Sequence, residues 1–195
     1  DLLVGWHSTF GPKVLRTTDF WHKRGVNTFI ARSSMSDGKP RTLQNEYKDI
    51  LDLGKIFDKN ERAQQLVGQM QQEVNFAINQ TAGYQKRPRA LVLEFMGKEP
   101  TVYGEKSLAG NIVKELHGEL LAAKQRSIGL EQVVELDPDV IFIVVTEFNY
   151  GREQDMIDRV TKHKALKHLR CVQQGRVVAL PLYAIYSSGV RTYDG

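Results

Sequence analysis

The nine residues 137–145, Asp-Pro-Asp-Val-Ile-Phe-Ile-Val-Val, constrain the fold of this chain more than any other segment. The last six are apolar and mostly β-branched, with no polar residue alternating between them. A short continuous run of that kind fits a strand buried on both faces, as in a parallel sheet covered by helices. A weaker copy opens the chain, where Asp1 precedes Leu2, Leu3, Val4, Gly5 and Trp6. Each run breaks into a polar and aromatic loop, residues 7–12 after the first and 146–151 after the second. In open α/β sheets, ligands sit against the loops at the carboxyl ends of such strands. Two units this far apart predict two α/β lobes, each offering a loop to a shared cleft.

The intervening segments extend this reading. Residues 12–24 read as a short helix carrying Val14, Leu15, Phe20 and Trp21, ended by Gly25, and residues 26–31 read as a second strand. Strand, helix and parallel strand make half of a doubly wound sheet. Residues 43–57 predict a helix with Tyr47, Ile50, Leu51 and Leu53 on its apolar side. The longest helix comes next. Asp58 and Glu61 stand at capping-box spacing, and Ala63, Leu66, Val67, Met70, Val74, Ala77 and Ile78 then recur at three- and four-residue intervals. It should stop near Gly83, short of Pro88. Roughly 25 residues at about 1.5 Å each span on the order of 38 Å, more than the width of a small lobe. Such a helix reads as a strut between lobes; packing along a single lobe is the alternative.

In the second half, residues 89–94 predict a strand and 95–103 a loop. Ser107 caps a helix with the stripe Leu108, Ile112, Val113, Leu116 and Leu120. A short helix over 129–135 feeds the strand 140–145, a helix comes after it over 156–168, and a last strand over 176–180 ends at Pro181. The fold class is α/β: two doubly wound lobes bridged by one long rigid helix. The boundaries are 1–57 for the N-terminal lobe, 58–84 for the bridging helix and 85–195 for the C-terminal lobe.

Composition excludes several classes. A net charge of +4 over 195 residues, without a long Lys/Arg block, falls far below what a dedicated nucleic-acid binder carries, so no nucleic-acid partner is predicted. The single cysteine, Cys171, rules out an intramolecular disulfide framework and reads as a small buried residue. No apolar run reaches the roughly 18 residues of a membrane span. Asp1 lies directly against a strand without an initiating Met, which suggests a mature or trimmed chain.

Phosphate-binding glycine loops and a nucleophile elbow are absent, and the five histidines show no metal-ligand spacing. No catalytic residue, metal site or cofactor is predicted. Rings and polar groups do concentrate at the expected strand ends: Trp6, His7 and Phe10; Arg32, Ser33, Ser34 and Met35; Phe95 and Met96; Phe148, Asn149 and Tyr150; Tyr183, Tyr186 and Arg191. A cleft lined by rings with a few convergent donors and cations suits a large, flat or partly anionic ligand. Each ring has plugging of the core as its alternative. The candidate ligand-binding set is Trp6, His7, Phe10, Arg32, Phe95, Tyr103, Phe148, Tyr150, Tyr183 and Arg191, with Arg32 and Arg191 offsetting ligand charge as a pair.

Several ordered motifs together resemble the periplasmic binding proteins of ATP-driven iron–siderophore, haem and cobalamin importers. Residues 129–141 match a short Glu-bearing helix followed by a Pro-Asp-containing strand, and residues 50–57 with 61–66 match a Leu-Gly segment feeding the long helix. Residues 102–107 match a Tyr-Gly turn with Ser before a helix, and residues 172–181 match a Gly-Arg-Val-Val strand. The resemblance covers nearly the whole chain. It implies a ligand held between two lobes with little hinge closure, and acidic residues that dock onto a membrane permease, Glu131 being the one on the C-terminal lobe. It implies no enzymatic activity and no resident cofactor, the ligand being a ferric siderophore, a related iron chelate, haem or a corrinoid. It places the protein in the periplasm or outside the cell as a membrane-anchored lipoprotein whose signal sequence is not in this chain. The family carries a further strand-helix-strand portion ahead of Asp1 and a helix after Gly195, so a fragment with an incomplete first lobe is expected. The chain departs from the family at His117, where glycine is common.

A chelated iron compound is favoured over cobalamin because the chain is basic and two arginines fall in strand-end loops. The competing readings are a cobalamin-binding protein of the same family, a tetrapyrrole metal chelatase-like enzyme and a plain interaction domain. A chelatase would need a basic histidine facing a carboxylate. Only His7 is placed for that, with Glu94 or Glu147 as partner.

Overall fold

Strand β1 (Leu2–Gly5) pairs in parallel with β2 (Asn27–Ile30), joined through the short helix α1 (Thr18–His22). This is a computed structural model, which describes residues 1–35, 37–83, 85–95 and 99–186. The helix expected over 12–24 shrinks to α1 because Arg16 adopts the left-handed backbone and Thr17 is the cap, its side chain accepting from the Phe20 N–H. Two long helices come next, α2 (Leu43–Ile56) and α3 (Asn60–Thr81), the latter about 33 Å long. They form an antiparallel hairpin. Gly54 has no room for a Cβ against Ala63, so the backbones close up there, and Asp58 turns the corner in the left-handed conformation. Asp58 is therefore not the cap: Lys59 holds that position, without a side-chain bond. Leu43 and Tyr47 of α2 and Val67 and Met70 of α3 share one buried cluster.

The larger sheet is built from β3 (Arg89–Glu94), β4 (Thr101–Val102), β5 (Glu119–Leu120), β6 (Val140–Val145) and β7 (Val177–Pro181). Strands β3, β6 and β7 run parallel side by side. The outer edge of β3 is shared, with β5 parallel to its beginning and β4 antiparallel to its end. Helix α4 (Leu108–Glu115) lies between β4 and β5 in the chain, α5 (Leu130–Leu136) precedes β6, and α6 (Glu153–Thr161) and α7 (Arg170–Gln173) precede β7. A last turn, α8 (Leu182–Ile185), comes after β7.

The apolar run in β6 is buried on both faces, as its lack of alternation predicts. Ile141, Ile143 and Val145 join Leu91 and Leu93 of β3 in a core with Val133, Met156, Val160 and Cys171 from α5, α6 and α7. On the other face Val144 and Val92 pack with Ala109, Ala184 and Ile185 from α4 and α8. Helices on both faces make the sheet doubly wound, and each such side chain removed from water contributes roughly 1.5–3 kcal/mol. Leu108 of α4 also enters the α2–α3 cluster, so the helical hairpin is wedged onto the larger sheet.

Two expected elements differ. Leu120 belongs to β5 rather than to the stripe of α4, because His117 (φ 60°) and Gly118 end the helix, Gly118 lying against the Val113 carbonyl. The helix expected over 156–168 starts earlier, at Glu153, and ends at Thr161. Among the described residues no helix is long and apolar enough to cross a membrane.

Candidate ligand-binding cleft

The carboxyl ends of β1 and β2 lead into two 3-10 turns, His7–Phe10 and Arg32–Ser34. The turns are laced together: the His7 backbone N–H donates to Ser34 Oγ (2.8 Å), and that hydroxyl donates to the Ala31 carbonyl (2.7 Å). Arg32 anchors the second turn to α2. Its backbone N–H donates to Asp49 Oδ2 (2.8 Å), and its guanidinium bridges Asp49 (2.5 Å) and Asp52 (2.6 Å). Burial works against the guanidinium charge, but hydrogen bonding and attraction from both carboxylates outweigh it, so its pKa rises. Hydrogen bonding to Arg32 holds Asp52 below the usual carboxylate range.

Opposite stands a wall built by backbone contact. The Glu105 N–H donates to the Ala123 carbonyl (2.8 Å), and the Val102 N–H to the Arg126 carbonyl (2.8 Å). A Cβ on Gly104 would run into the Ala123 carbonyl, and one on Gly110 into the Gly104 carbonyl, so only glycine permits this three-layer approach. Ser107 caps α4 by accepting from the Gly110 N–H (3.0 Å). The Arg41 N–H donates to the Lys106 carbonyl (3.0 Å), tying the chain ahead of α2 to the same wall.

Between the two walls opens a cavity of about 860 Å³. Trp6, His7, Ser8, Ser33, Ser34 and Met35 line one side. Arg41 and the segments 101–102, 104–108 and 123–126 line the other, and Tyr186 closes the edge, its ring centroid 5.3 Å from that of Trp6.

Of the candidate residues, the structure brings Trp6 and His7 to this cavity. Phe10 is buried beneath β1 beside Gly5 and plugs the core. Arg32 is spent on Asp49 and Asp52, a structural clamp rather than an open cation. Tyr103 is buried, its hydroxyl donating to Glu94 Oε2 (2.7 Å), and burial followed by that bond pushes its pKa up, so it stays a protonated donor. Phe95, Phe148, Tyr150 and Tyr183 lie at the carboxyl end of the larger sheet but outside the cavity lining. Phe95 is covered by Arg159 (5.5 Å to the ring centroid), Phe148 is exposed, and Tyr150 and Tyr183 meet edge to face at 6.0 Å. Met96 and Arg191 lie outside the described residues. Glu131 is exposed in the first turn of α5.

Lys106, Lys124, Arg126 and Arg41, all in the lining, are not singled out by sequence. The usable signal is β5: residues 121–126 come directly after its carboxyl end, but a two-residue strand that reads as helix hides that. Among the described residues no three His, Cys, Asp or Glu side chains are grouped to hold a metal ion. Glu94, a candidate partner for His7, is committed to Tyr103.

The periplasmic binding protein family model matches residues 22–184. The chain belongs to that family. A periplasmic binding protein from Veillonella parvula is 43% identical, with a TM-score of 0.91 over the whole of this chain and 61% of that one. The chain thus spans less than two thirds of that relative. An ABC-type Fe3+-hydroxamate transport system protein from Saccharomonospora viridis (23% identity, TM-score 0.77, 100% of this chain and 66% of that one) shares the fold. So does the haem-binding protein RhuT from Roseiflexus (18%, 0.75, 99% and 71%). No protein of curated function matches the chain. Two α/β lobes with a cleft between them are the architecture of this periplasmic binding protein family member.

Proposed function

We propose that this protein is the extracytoplasmic solute-binding component of an ABC importer, capturing a ferric siderophore or a related iron chelate or haem and delivering it to a membrane permease. The observation that carries this reading is the cavity of about 860 Å³ between strand-end loops of the two sheets, with the Trp6–Tyr186 ring pair on one flank and cations on the other. That volume falls in the range of roughly 300–1,000 Å³ usual for small-molecule sites. Ring faces and cations suit a broad, partly charged chelate. Family membership and the names of the hydroxamate and haem relatives support the same ligand class. Nothing is made or broken in this role: the protein holds the chelate, keeps it oriented and releases it intact. Exposed Glu131 is the proposed contact with the permease, and a lipid anchor is the proposed tether.

Titration of the purified protein with a ferric catecholate, a ferric hydroxamate, haem and cobalamin tests the reading by tryptophan fluorescence. Trp6 lines the cavity and Trp21 sits away from it, its indole donating to the Leu15 carbonyl (2.5 Å). Saturable quenching by an iron compound, lost in Trp6→Phe, is expected. Silence with all four ligands contradicts the reading, and a response to cobalamin alone replaces the ligand class. In transport assays, Glu131→Lys should abolish uptake while leaving ligand affinity unchanged.

A further inference from the structure

The cavity has a polarity that the family reading does not specify. Its lining carries four cations, Arg41, Lys106, Lys124 and Arg126, against one carboxylate, Glu105, a balance of three positive charges where the whole chain carries +4. Arg41 is partly neutralised by Asp37 (3.1 Å), and Glu105 leans toward Lys114 (4.0 Å). Among the described residues Lys106, Lys124 and Arg126 form no ion pair, and all three are exposed on the wall that Gly104 and Gly110 pin in place. The opposite wall supplies Trp6, His7, Ser8, Ser33, Ser34 and Met35, with no Lys, Arg, Asp or Glu among them. Like charges held on a fixed frame repel one another, and an anionic solute relieves that repulsion while a neutral one does not.

Resting on the proposed solute-binding role, we infer that the cleft selects a chelate of net negative charge, with Lys106, Lys124 and Arg126 as its specificity-determining residues. The anionic oxygens face this wall and the less polar side of the ligand faces Trp6. Because the three cations are exposed, each contributes as a screened pair, and selectivity arises from their sum.

The test compares two iron complexes of similar size, a ferric tris-catecholate of charge −3 and an uncharged ferric tris-hydroxamate, bound to the purified protein at low and high salt. At low salt the anionic complex should bind at least about tenfold more tightly, and the gap should narrow at high salt. Each of Lys106→Glu, Lys124→Glu and Arg126→Glu should weaken the anionic complex by roughly three- to tenfold and the neutral one by distinctly less. All three positions are exposed, and circular dichroism of the variants verifies that they fold. Equal or tighter binding of the neutral complex, or reversals without effect on the anionic one, overturns the charge inference while the solute-binding role stands. Failure of both complexes to bind overturns the charge inference and, with it, the ferric-siderophore part of the proposed function.

Discussion

The two walls of the cleft are held in different ways. The wall after β1 and β2 depends on side chains: Asp49 and Asp52 grip Arg32, and Ser34 links that turn to His7. The wall at residues 104–106 and 123–126 depends on backbone, with carbonyls and N–H groups approaching where Gly104 and Gly110 leave no Cβ in the way. The first consumes its arginine in holding shape. The second needs no charge to hold shape, and its cations stay open toward the cavity. An arginine at a strand end is thus weak evidence for ligand contact when acidic residues lie one helix away.

Substitutions on either wall should separate these two modes of support. The largest effect is expected for Gly104→Ala, whose Cβ meets the Ala123 carbonyl; about 3 kcal/mol of stability should be lost in urea denaturation, together with binding of the anionic chelate. Asp49→Asn removes a buried carboxylate from Arg32 and should cost about 2 kcal/mol, loosening the Trp6 wall more than the cationic one. Hydrogen exchange at the His7 and Ser34 amides would check where the loosening falls. Tyr103→Phe leaves Glu94 without its donor and should cost about 1–2 kcal/mol by the same denaturation assay.

Two effects should be smaller. His117→Gly should gain about 0.5 kcal/mol, since glycine adopts φ 60° with less strain than histidine. Asp52, with its pKa depressed by Arg32, adds stability that is fully present above the ordinary carboxylate pKa of about 4 and is lost as pH falls below it. The acid arm of the stability–pH curve should accordingly flatten in Asp52→Asn.

How much of the molecule is legible in its residues depends on length and burial. The core strand β6, the parallel pair β1–β2 and the long helix α3 come from apolar runs and periodicity strong enough to survive any context. The short elements do not. Arg16 and His117 take left-handed backbone that no propensity signals, and each ends or delays a helix. Because β5 reads as helix, residues 121–126 stay hidden, and with them Lys124 and Arg126. Rings at strand ends are visible as a class, but burial sorts them: Trp6 lines the cleft, while Phe10 and Tyr103 fill the interior.

The most direct test of the account is the position of iron in crystals of the protein grown with a ferric tris-catecholate. An anomalous iron peak between Trp6 and the Lys106–Lys124–Arg126 wall is the predicted result. A peak elsewhere on the molecule, or no bound iron at saturating chelate, would contradict it.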